Sequence, residues 1–351
     1  MQINAAVIGF GGMGSYHCKN IRERVSEIKV TGAYDVREEA KNEIVKQKLF
    51  SYEKPEALYE DKSVGLVIIA TPNDVHKAYA IECLEAGKNV ICEKPVTLNA
   101  AEFEEIVAAA KRTGKIFTAH QNRRWDKDYL TIKKILSDGI LHKPYIIESR
   151  VQGSRRALHG WRAHKANGGG MVLDWGIHLI DQLLDLIDSE VVSVDAHLHF
   201  VNTDEVDDNF TAMMRFASGP TAVVNVSMNC FVTQPRWHMQ CFDGTAVIND
   251  WELNGKIVKL ANPDALEWAD DIIYTAAGPT RSMAPRPDFT TEELSLPKVE
   301  SDWSEYYKNV VRAIRGVEEP IVKQCQLLRV MRVIDAVFES HRAGASIKTN
   351  I

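Results

Sequence analysis

The chain has no apolar run long enough to cross a bilayer, no CxxC pair, no low-complexity tract, no internal repeat and no surplus of positive charge. Each absence removes a class of protein. Without a run of about 20 apolar residues no membrane-spanning helix is expected. The six cysteines, Cys18, Cys83, Cys92, Cys230, Cys241 and Cys325, are scattered. Scattered thiols argue against a disulfide framework or a zinc ribbon and for a reducing compartment. A net charge of −6 argues against nucleic acid as a general partner. The first residues lack the charged start and cleavage site of a secretory signal, and residues 3–8 read as a strand instead. A soluble cytoplasmic protein with neither a membrane nor a nucleic-acid partner is therefore expected. At 351 residues, two domains are more natural than one.

What is present begins at once. The apolar run Ile3 to Ile8 feeds into Gly9-Phe10-Gly11-Gly12-Met13-Gly14, a GxGxxG turn, and the segment after it can be helical. The next apolar run ends at Asp35, twenty-one positions after Gly14. Strand, glycine turn, helix and a spaced acid together fit a dinucleotide-binding βαβ unit. The ordinary alternative is a glycine-rich βα turn, which would not require the acid. Asp35 can accept both hydroxyls of an adenosine ribose and would repel a 2′-phosphate, which favours NAD over NADP. Arg37, two residues on, could offset that repulsion.

Further along, apolar β-branched runs at residues 28–34, 65–70, 89–92 and 115–119 alternate with helical stretches. One helix spans residues 74–86 and stops at Gly87; another starts at Asn99, with Glu102 in the capping-box position and Gly114 beyond its end. This pattern implies a parallel sheet covered on both faces, with ligand at the carboxyl ends of its strands. After residue 122 the texture changes. Helices are expected over 126–136 and 171–187, strands over 145–152, 191–200, 210–216, 221–228, 237–242 and 245–249, loops over 262–299, and helix again over 302–343. The expected fold is α/β: a Rossmann doubly wound parallel sheet over residues 1–121, then an α+β domain over 122–351 with an open, mostly antiparallel sheet. An open sheet leaves one face uncovered, which predicts a homo-oligomer, dimer or tetramer, formed through that face.

Three constellations carry chemistry. Glu93-Lys94-Pro95 follows a strand, so Lys94 faces the crevice; a stiff surface turn is the plain alternative. Thr71-Pro72-Asn73, with His76, closes another strand and should line the cofactor crevice, although helix capping would use the same residues. Asp174 and His178 are four apart, so a helix places them on one face, where the carboxylate would orient the imidazole and favour its charged form. The pair could instead belong to a metal site, but no third ligand and no HExxH pattern accompanies it, and no metal is expected. Gly168-Gly169-Gly170 just before them permits close approach of backbone or substrate.

Taken together, the glycine turn, Thr71-Pro72-Asn73, Glu93-Lys94-Pro95 and the Asp174…His178 helix resemble the Gfo/Idh/MocA family, named for glucose–fructose oxidoreductase and inositol dehydrogenase. The resemblance spans nearly the whole chain. It implies a hydride-transfer site between the two domains, with Lys94, Asp174 and His178 as a coupled catalytic set, His178 the principal acid/base. It also implies that Gln121 and Asn122 lie near a nicotinamide and that Trp161-Arg162 covers cofactor and substrate. Asn122-Arg123-Arg124-Trp125-Asp126 resembles a branch containing scyllo-inositol dehydrogenase-like proteins, and its plain alternative is a helix start. Lys94, Arg123, Arg155, Arg156, His159, Trp161, Arg162, Asp174 and His178 are candidates for contact with a polyol. The implied activity is oxidation of a ring hydroxyl of a sugar, sugar derivative or cyclitol to a ketone, or the reverse. A redox-neutral relative, which keeps its NAD and oxidises a sugar only transiently, is the alternative.

Overall fold

The computed structural model describes residues 2–262, 264, 272–281 and 286–351. Its first sheet comprises β1 (Ile3–Ile8), β2 (Ile28–Tyr34), β3 (Phe50–Ser51), β4 (Leu66–Ile69), β5 (Asn89–Cys92) and β6 (Phe117–Ala119). The strands are parallel and lie in the order β3-β2-β1-β4-β5-β6. Helices α1 (Gly12–Arg24), α2 (Glu38–Lys46), α3 (Pro55–Glu60), α4 (His76–Glu85) and α5 (Ala100–Thr113) make the connections. Every residue of β4, Leu-Val-Ile-Ile, is buried, as a strand covered on both faces requires. Asn99 Oδ1 accepts the Glu102 N–H at 2.9 Å, the Glu102 carboxylate accepts the Leu98 N–H at 3.1 Å, and Gly114 ends α5 at φ +66°. The capping signals of that helix thus work as their spacing predicts, except that the glutamate reaches one residue further back. Strand order reverses between β1 and β4, and the loops that follow them part to open a crevice.

The remaining elements are α6 (Lys127–Ser137), β7 (Pro144–Gln152), α7 (Ile177–Leu186), β8 (Val191–His199), β9 (Asn209–Phe216), β10 (Thr221–Ser227), β11 (Trp237–Cys241), β12 (Gly244–Ile248), β13 (Gly255–Leu260), a separate hairpin of β14 (Ile272–Thr275) and β15 (Gly278–Arg281), β16 (Thr291–Leu294), α8 (Ser304–Ile314), α9 (Gln324–Ala343) and β17 (Ile347–Lys348). A nine-stranded sheet runs β16-β13-β12-β11-β7-β10-β9-β8-β17, and only the β7–β10 pair is parallel. On β10, Ala222, Val224 and Val226 are buried while Thr221, Val223 and Asn225 on the alternate face are only half-buried. Helix α9 packs on β8, α7 and α5, so it touches both halves of the molecule. It is fastened to the first half by the Ala100 N–H donating to Asp335 at 3.0 Å, and the segment before it by the Thr118 hydroxyl donating to the Val322 carbonyl at 2.9 Å. No described helix is long and apolar enough to cross a membrane.

Three expectations need correction. The helix expected over residues 302–343 is two, α8 and α9, parted by residues 315–323. The helix expected over residues 171–187 opens with a π-wound turn, Val172–Gly176, before α7 becomes regular. And the 262–299 stretch, expected to be loops, contains β14, β15 and β16; residues 263, 265–271 and 282–285 of it lie outside the described residues. Strand β16 pairs with β13 at the sheet edge, where Glu293 meets Lys256 at 2.7 Å and Glu292 meets Lys259 at 3.2 Å. An edge strand held by exposed ion pairs shows no apolar alternation to read.

Candidate active site at the switch point

The crevice widens into a cavity of about 730 Å³ between the carboxyl ends of the first sheet and loops of the second half. Its floor is the glycine turn. Gly9 sits at φ +89°, and a Cβ there would strike the Ala70 carbonyl. A Cβ at Gly14 would strike the Gly9 carbonyl oxygen, so α1 starts hard against β1. Gly12 has no neighbour within 4 Å in that direction. The start of α1 therefore presents backbone N–H groups and its positive dipole end to open space, an arrangement suited to a pyrophosphate.

Asp35 stands at the end of β2, buried. Its Oδ2 accepts the Phe10 N–H at 2.7 Å and its Oδ1 the Arg37 N–H at 2.9 Å. The Arg37 guanidinium also clasps both oxygens, at 3.0 and 2.9 Å. Burial would raise the carboxyl's pKa, but the hydrogen bonds from Arg37 and Phe10 outweigh it and hold it below the usual range. Arg37 is thus the direct partner of Asp35, and the carboxylate is not free as the ribose-binding argument supposes.

Across the crevice, Thr71 Oγ1 and Asn73 Oδ1 are buried with no hydrogen-bond partner among the described residues. Orphaned buried polar atoms beside open backbone amides are what a site for a polar ligand looks like before the ligand arrives. The residues present therefore fit a nicotinamide dinucleotide. His76 does not line the cavity as expected. Its ring is fully buried behind the wall, with Nδ1 2.7 Å from the Pro95 carbonyl and Nε2 3.0 Å from the Thr71 carbonyl, and the neutral ring donates to one of the two. Phe10, Gly14 and Gln121 also stand behind the wall, whereas Gly9, Gly11, Gly12, Met13, Asp35, Arg37, Thr71, Pro72, Asn73, Glu93, Lys94, Asn122, Arg123, Trp161, Arg162, Asp174 and His178 line it.

At the inner end three of these meet. Lys94 Nζ donates to Asp174 Oδ1 at 2.8 Å and to the Asp174 carbonyl at 2.9 Å, and Arg162 Nε approaches the same Oδ1 at 3.3 Å. Burial works to raise the Asp174 pKa, and the charges of Lys94 and Arg162 more than offset it. Among the described residues His178 has no hydrogen-bond partner; its Nδ1 is buried and unpartnered, which leaves Nε2 for the cavity. Burial, then the positive charges of Lys94 and Arg123, push its pKa well below the ordinary imidazole value, so the ring is neutral at pH 7. The expected Asp174–His178 pairing is therefore absent, and the expected charged imidazole is replaced by a neutral one. The physical reason is competition: the Asp174 carboxylate is taken up by the cations Lys94 and Arg162, and the neutral His178 offers it no charge. The glycines before them serve backbone packing, not substrate. A Cβ at Gly169 would strike the Arg162 carbonyl, and the Gly168 carbonyl accepts Asn73 Nδ2 at 2.8 Å.

Glu93, next to Lys94 in sequence, heads a different network. Its Oε1 accepts from His17 Nε2 at 2.9 Å and His120 Nδ1 at 2.8 Å, and His17 Nδ1 meets the Tyr307 hydroxyl at 2.7 Å. His17, Glu93 and His120 have the donor types of a metal site, and here the ligand atoms are occupied by hydrogen bonds within the group. Sequence reasoning missed this network, since its members are 76 and 27 positions from Glu93. It also missed Tyr34, Tyr79 and Trp175, which line the cavity, and Trp251 behind Trp175. Arg123 lies over the Trp175 ring at 4.1 Å and within 5.6 Å of Trp251. Trp175 could have been found, because it sits between Asp174 and His178; Trp251, in a polar turn between β12 and β13, carries no signal.

Comparison with known proteins gives this geometry its context. Residues 3–121 match the oxidoreductase family with an NAD-binding Rossmann fold, and residues 129–247 match the Gfo/Idh/MocA C-terminal domain. The chain belongs to the Gfo/Idh/MocA family of oxidoreductases. A solved NAD-binding protein from Listeria innocua is 40% identical, with a TM-score of 0.94 and 99% of both chains covered. The scyllo-inositol 2-dehydrogenase (NADP(+)) of Bacillus subtilis is 26% identical over 98% of this chain and 95% of its own length. The myo-inositol 2-dehydrogenase of Thermotoga maritima is 29% identical over 63% of this chain and 67% of its own. In this Gfo/Idh/MocA protein the family's parallel sheet and mostly antiparallel sheet are both present, and the cavity described above lies between them.

Proposed function

We propose that the protein oxidises a ring hydroxyl of a sugar, sugar derivative or cyclitol to a ketone, or catalyses the reverse, with NAD. One observation carries this reading: a lysine ammonium fixed by a carboxylate stands with a neutral, unpartnered histidine in the same cavity as the glycine turn. A bound nicotinamide dinucleotide supplies the hydride acceptor or donor. The chain's own residues manage the proton and the oxygen. A substrate hydroxyl placed against Lys94 and His178 gives its proton to His178 Nε2. The Lys94 ammonium holds the oxygen as negative charge develops on it. Asp174 positions that ammonium through its side chain and its carbonyl, with no need to titrate itself. Trp175, backed by Arg123, offers a flat apolar face against which a sugar or cyclitol ring can lie. Asp35 favours NAD by repelling a 2′-phosphate, while Arg37 moderates that preference. Residues 1–121 hold the dinucleotide and 122–351 the substrate, and the half-buried face of β10 and its neighbours joins copies of the chain in the cytosol.

The test is incubation with NAD or NADP and a panel of inositols, hexoses, uronic acids and glycosides, following reduced-nicotinamide absorbance and substrate loss together. A sustained rise in absorbance with one compound is expected. Substrate loss without that rise would replace net oxidation by redox-neutral turnover, and no reaction across the panel would overturn the reading. Light scattering during gel filtration tests the oligomer.

A further inference from the structure

A second chamber, of about 480 Å³, opens on the far side of Asp174 and shares Arg162, Asp174 and Trp175 with the main cavity. Its walls come from the ends of β7 and β10 and from the segment carrying Arg155, His159 and Arg162. Its neutral polar groups are already spent. Gln152 bonds Asn225 at 2.5 Å and accepts the Gln234 N–H at 2.8 Å, and the Ser227 hydroxyl donates to Asn209 at 2.5 Å and accepts the Asn229 N–H at 3.2 Å. Its arginines are not spent. Arg155 makes no hydrogen bond or ion pair with any described residue. Arg162 engages Asp174 through Nε alone and otherwise lies over the Trp161 ring at 4.4 Å. Among the described residues, the one carboxylate on the walls is Asp174, which Lys94 and Arg162 already share. The phosphates of a dinucleotide belong to the glycine turn at the other end of the main cavity, so they do not account for this excess of positive charge.

We propose that this chamber receives an anionic group, a carboxylate or a phosphate, carried by the same sugar or cyclitol whose hydroxyl is held at Lys94. The inference rests on the sugar-dehydrogenase reading above and narrows its substrate class. A guanidinium fork matches the planar oxygens of a carboxylate or two oxygens of a phosphate. The substrate then spans two subsites, with the reacting carbon at Lys94 and its charged substituent beyond Asp174.

The experiment compares kcat/KM for matched compounds: glucose, glucuronate and glucose 6-phosphate, and myo-inositol with its monophosphate. One anionic member is expected to exceed its neutral parent by about 10- to 100-fold, the worth of a charged hydrogen bond. That ratio should shrink with added salt and fall steeply in R155Q, while R155K, which keeps the charge and loses the fork, retains only part of it. Preference for the uronate or for the phosphate ester identifies which anion is meant. A neutral parent that is preferred, or a ratio that R155Q leaves unchanged, overturns the inference. If no compound turns over, tryptophan fluorescence of the NADH-loaded protein titrated with glucuronate and glucose 6-phosphate decides. Saturable binding that R155Q abolishes upholds the chamber and sinks the dehydrogenase reading, and no binding overturns both. Arg155 is exposed, so an unchanged melting temperature shows that R155Q is folded.

Discussion

Glu93 and Lys94 are neighbours in sequence, yet they head two networks built on opposite principles. Beneath the cavity, Glu93 gathers His17 and His120 on one oxygen, with Tyr307 closing the group, and all of it is buried. Within the cavity, Lys94 is fixed by Asp174 while His178 is left with a buried, unpartnered nitrogen and an open one. Each combines a carboxylate with histidine, and the second adds a lysine. What differs is saturation. A histidine whose nitrogens are satisfied by protein has nothing left to offer a substrate, and one held neutral without partners is poised to take a proton.

The most severe way to break the comparison is to remove the open histidine. H178A is expected to lower kcat by about 10²- to 10⁴-fold, the usual contribution of a general base, with NADH affinity by fluorescence unchanged. Retained turnover would move the proton to another group. Next is the closed network. E93Q leaves His17 and His120 on a poorer acceptor in a buried site and should cost about 1–3 kcal/mol, the penalty of weakening buried hydrogen bonds to a charged group, read as a lower denaturation midpoint. The carboxyl's pKa is held well below 4.5 by His120 and His17 despite the opposing effect of burial. Its stabilisation is therefore present above the unfolded value and lost as pH falls through the folded one. The E93Q midpoint should accordingly depend less on pH across the acid range than the wild-type midpoint; parallel profiles would show that Glu93 is not the titrating group.

The pH profile of oxidation sharpens the comparison further. Since burial and the charges of Lys94 and Arg123 depress the His178 pKa, kcat/KM should rise through a value below 6.5 and be level near neutrality. Replacing Lys94 by Gln removes one depressing charge, so the acid limb of the residual activity should move to higher pH; a stationary limb would show that His178 is not the base. The smallest expected effect is at the adenosine end. R37A frees Asp35 to repel a 2′-phosphate and should lower NADP use relative to NAD by about 10-fold, the worth of one charge-assisted contact. An unchanged ratio would remove Arg37 from cofactor choice.

These two networks also mark where the sequence stops being readable. The first sheet was legible almost strand by strand, because buried parallel strands are continuous apolar runs bounded by turn residues. The glycine turn, Asp35 and Lys94 were legible for the same reason: each follows directly on such a run. The meeting of Lys94 with Asp174, by contrast, joins residues 80 positions apart, and neither periodicity nor spacing carries that information. Local winding was equally silent. Nothing in Val172-Leu173-Asp174-Trp175-Gly176 separates a π turn from an α turn. At the sheet edge, β16 escaped notice because ion pairs, not apolar alternation, hold it.

One consequence of the way α8 and α9 pack concerns synthesis. Tyr307 in α8 completes the His17 network, and the α9 region holds β6 and the start of α5 through Val322 and Asp335. The amino-terminal half of the molecule, which the ribosome delivers first, therefore lacks its last walls until residues beyond 300 have emerged. A chain stalled midway would present the bare flank of its first sheet to whatever chaperone or neighbour is at hand, and the two halves would reach their final form as a single late event.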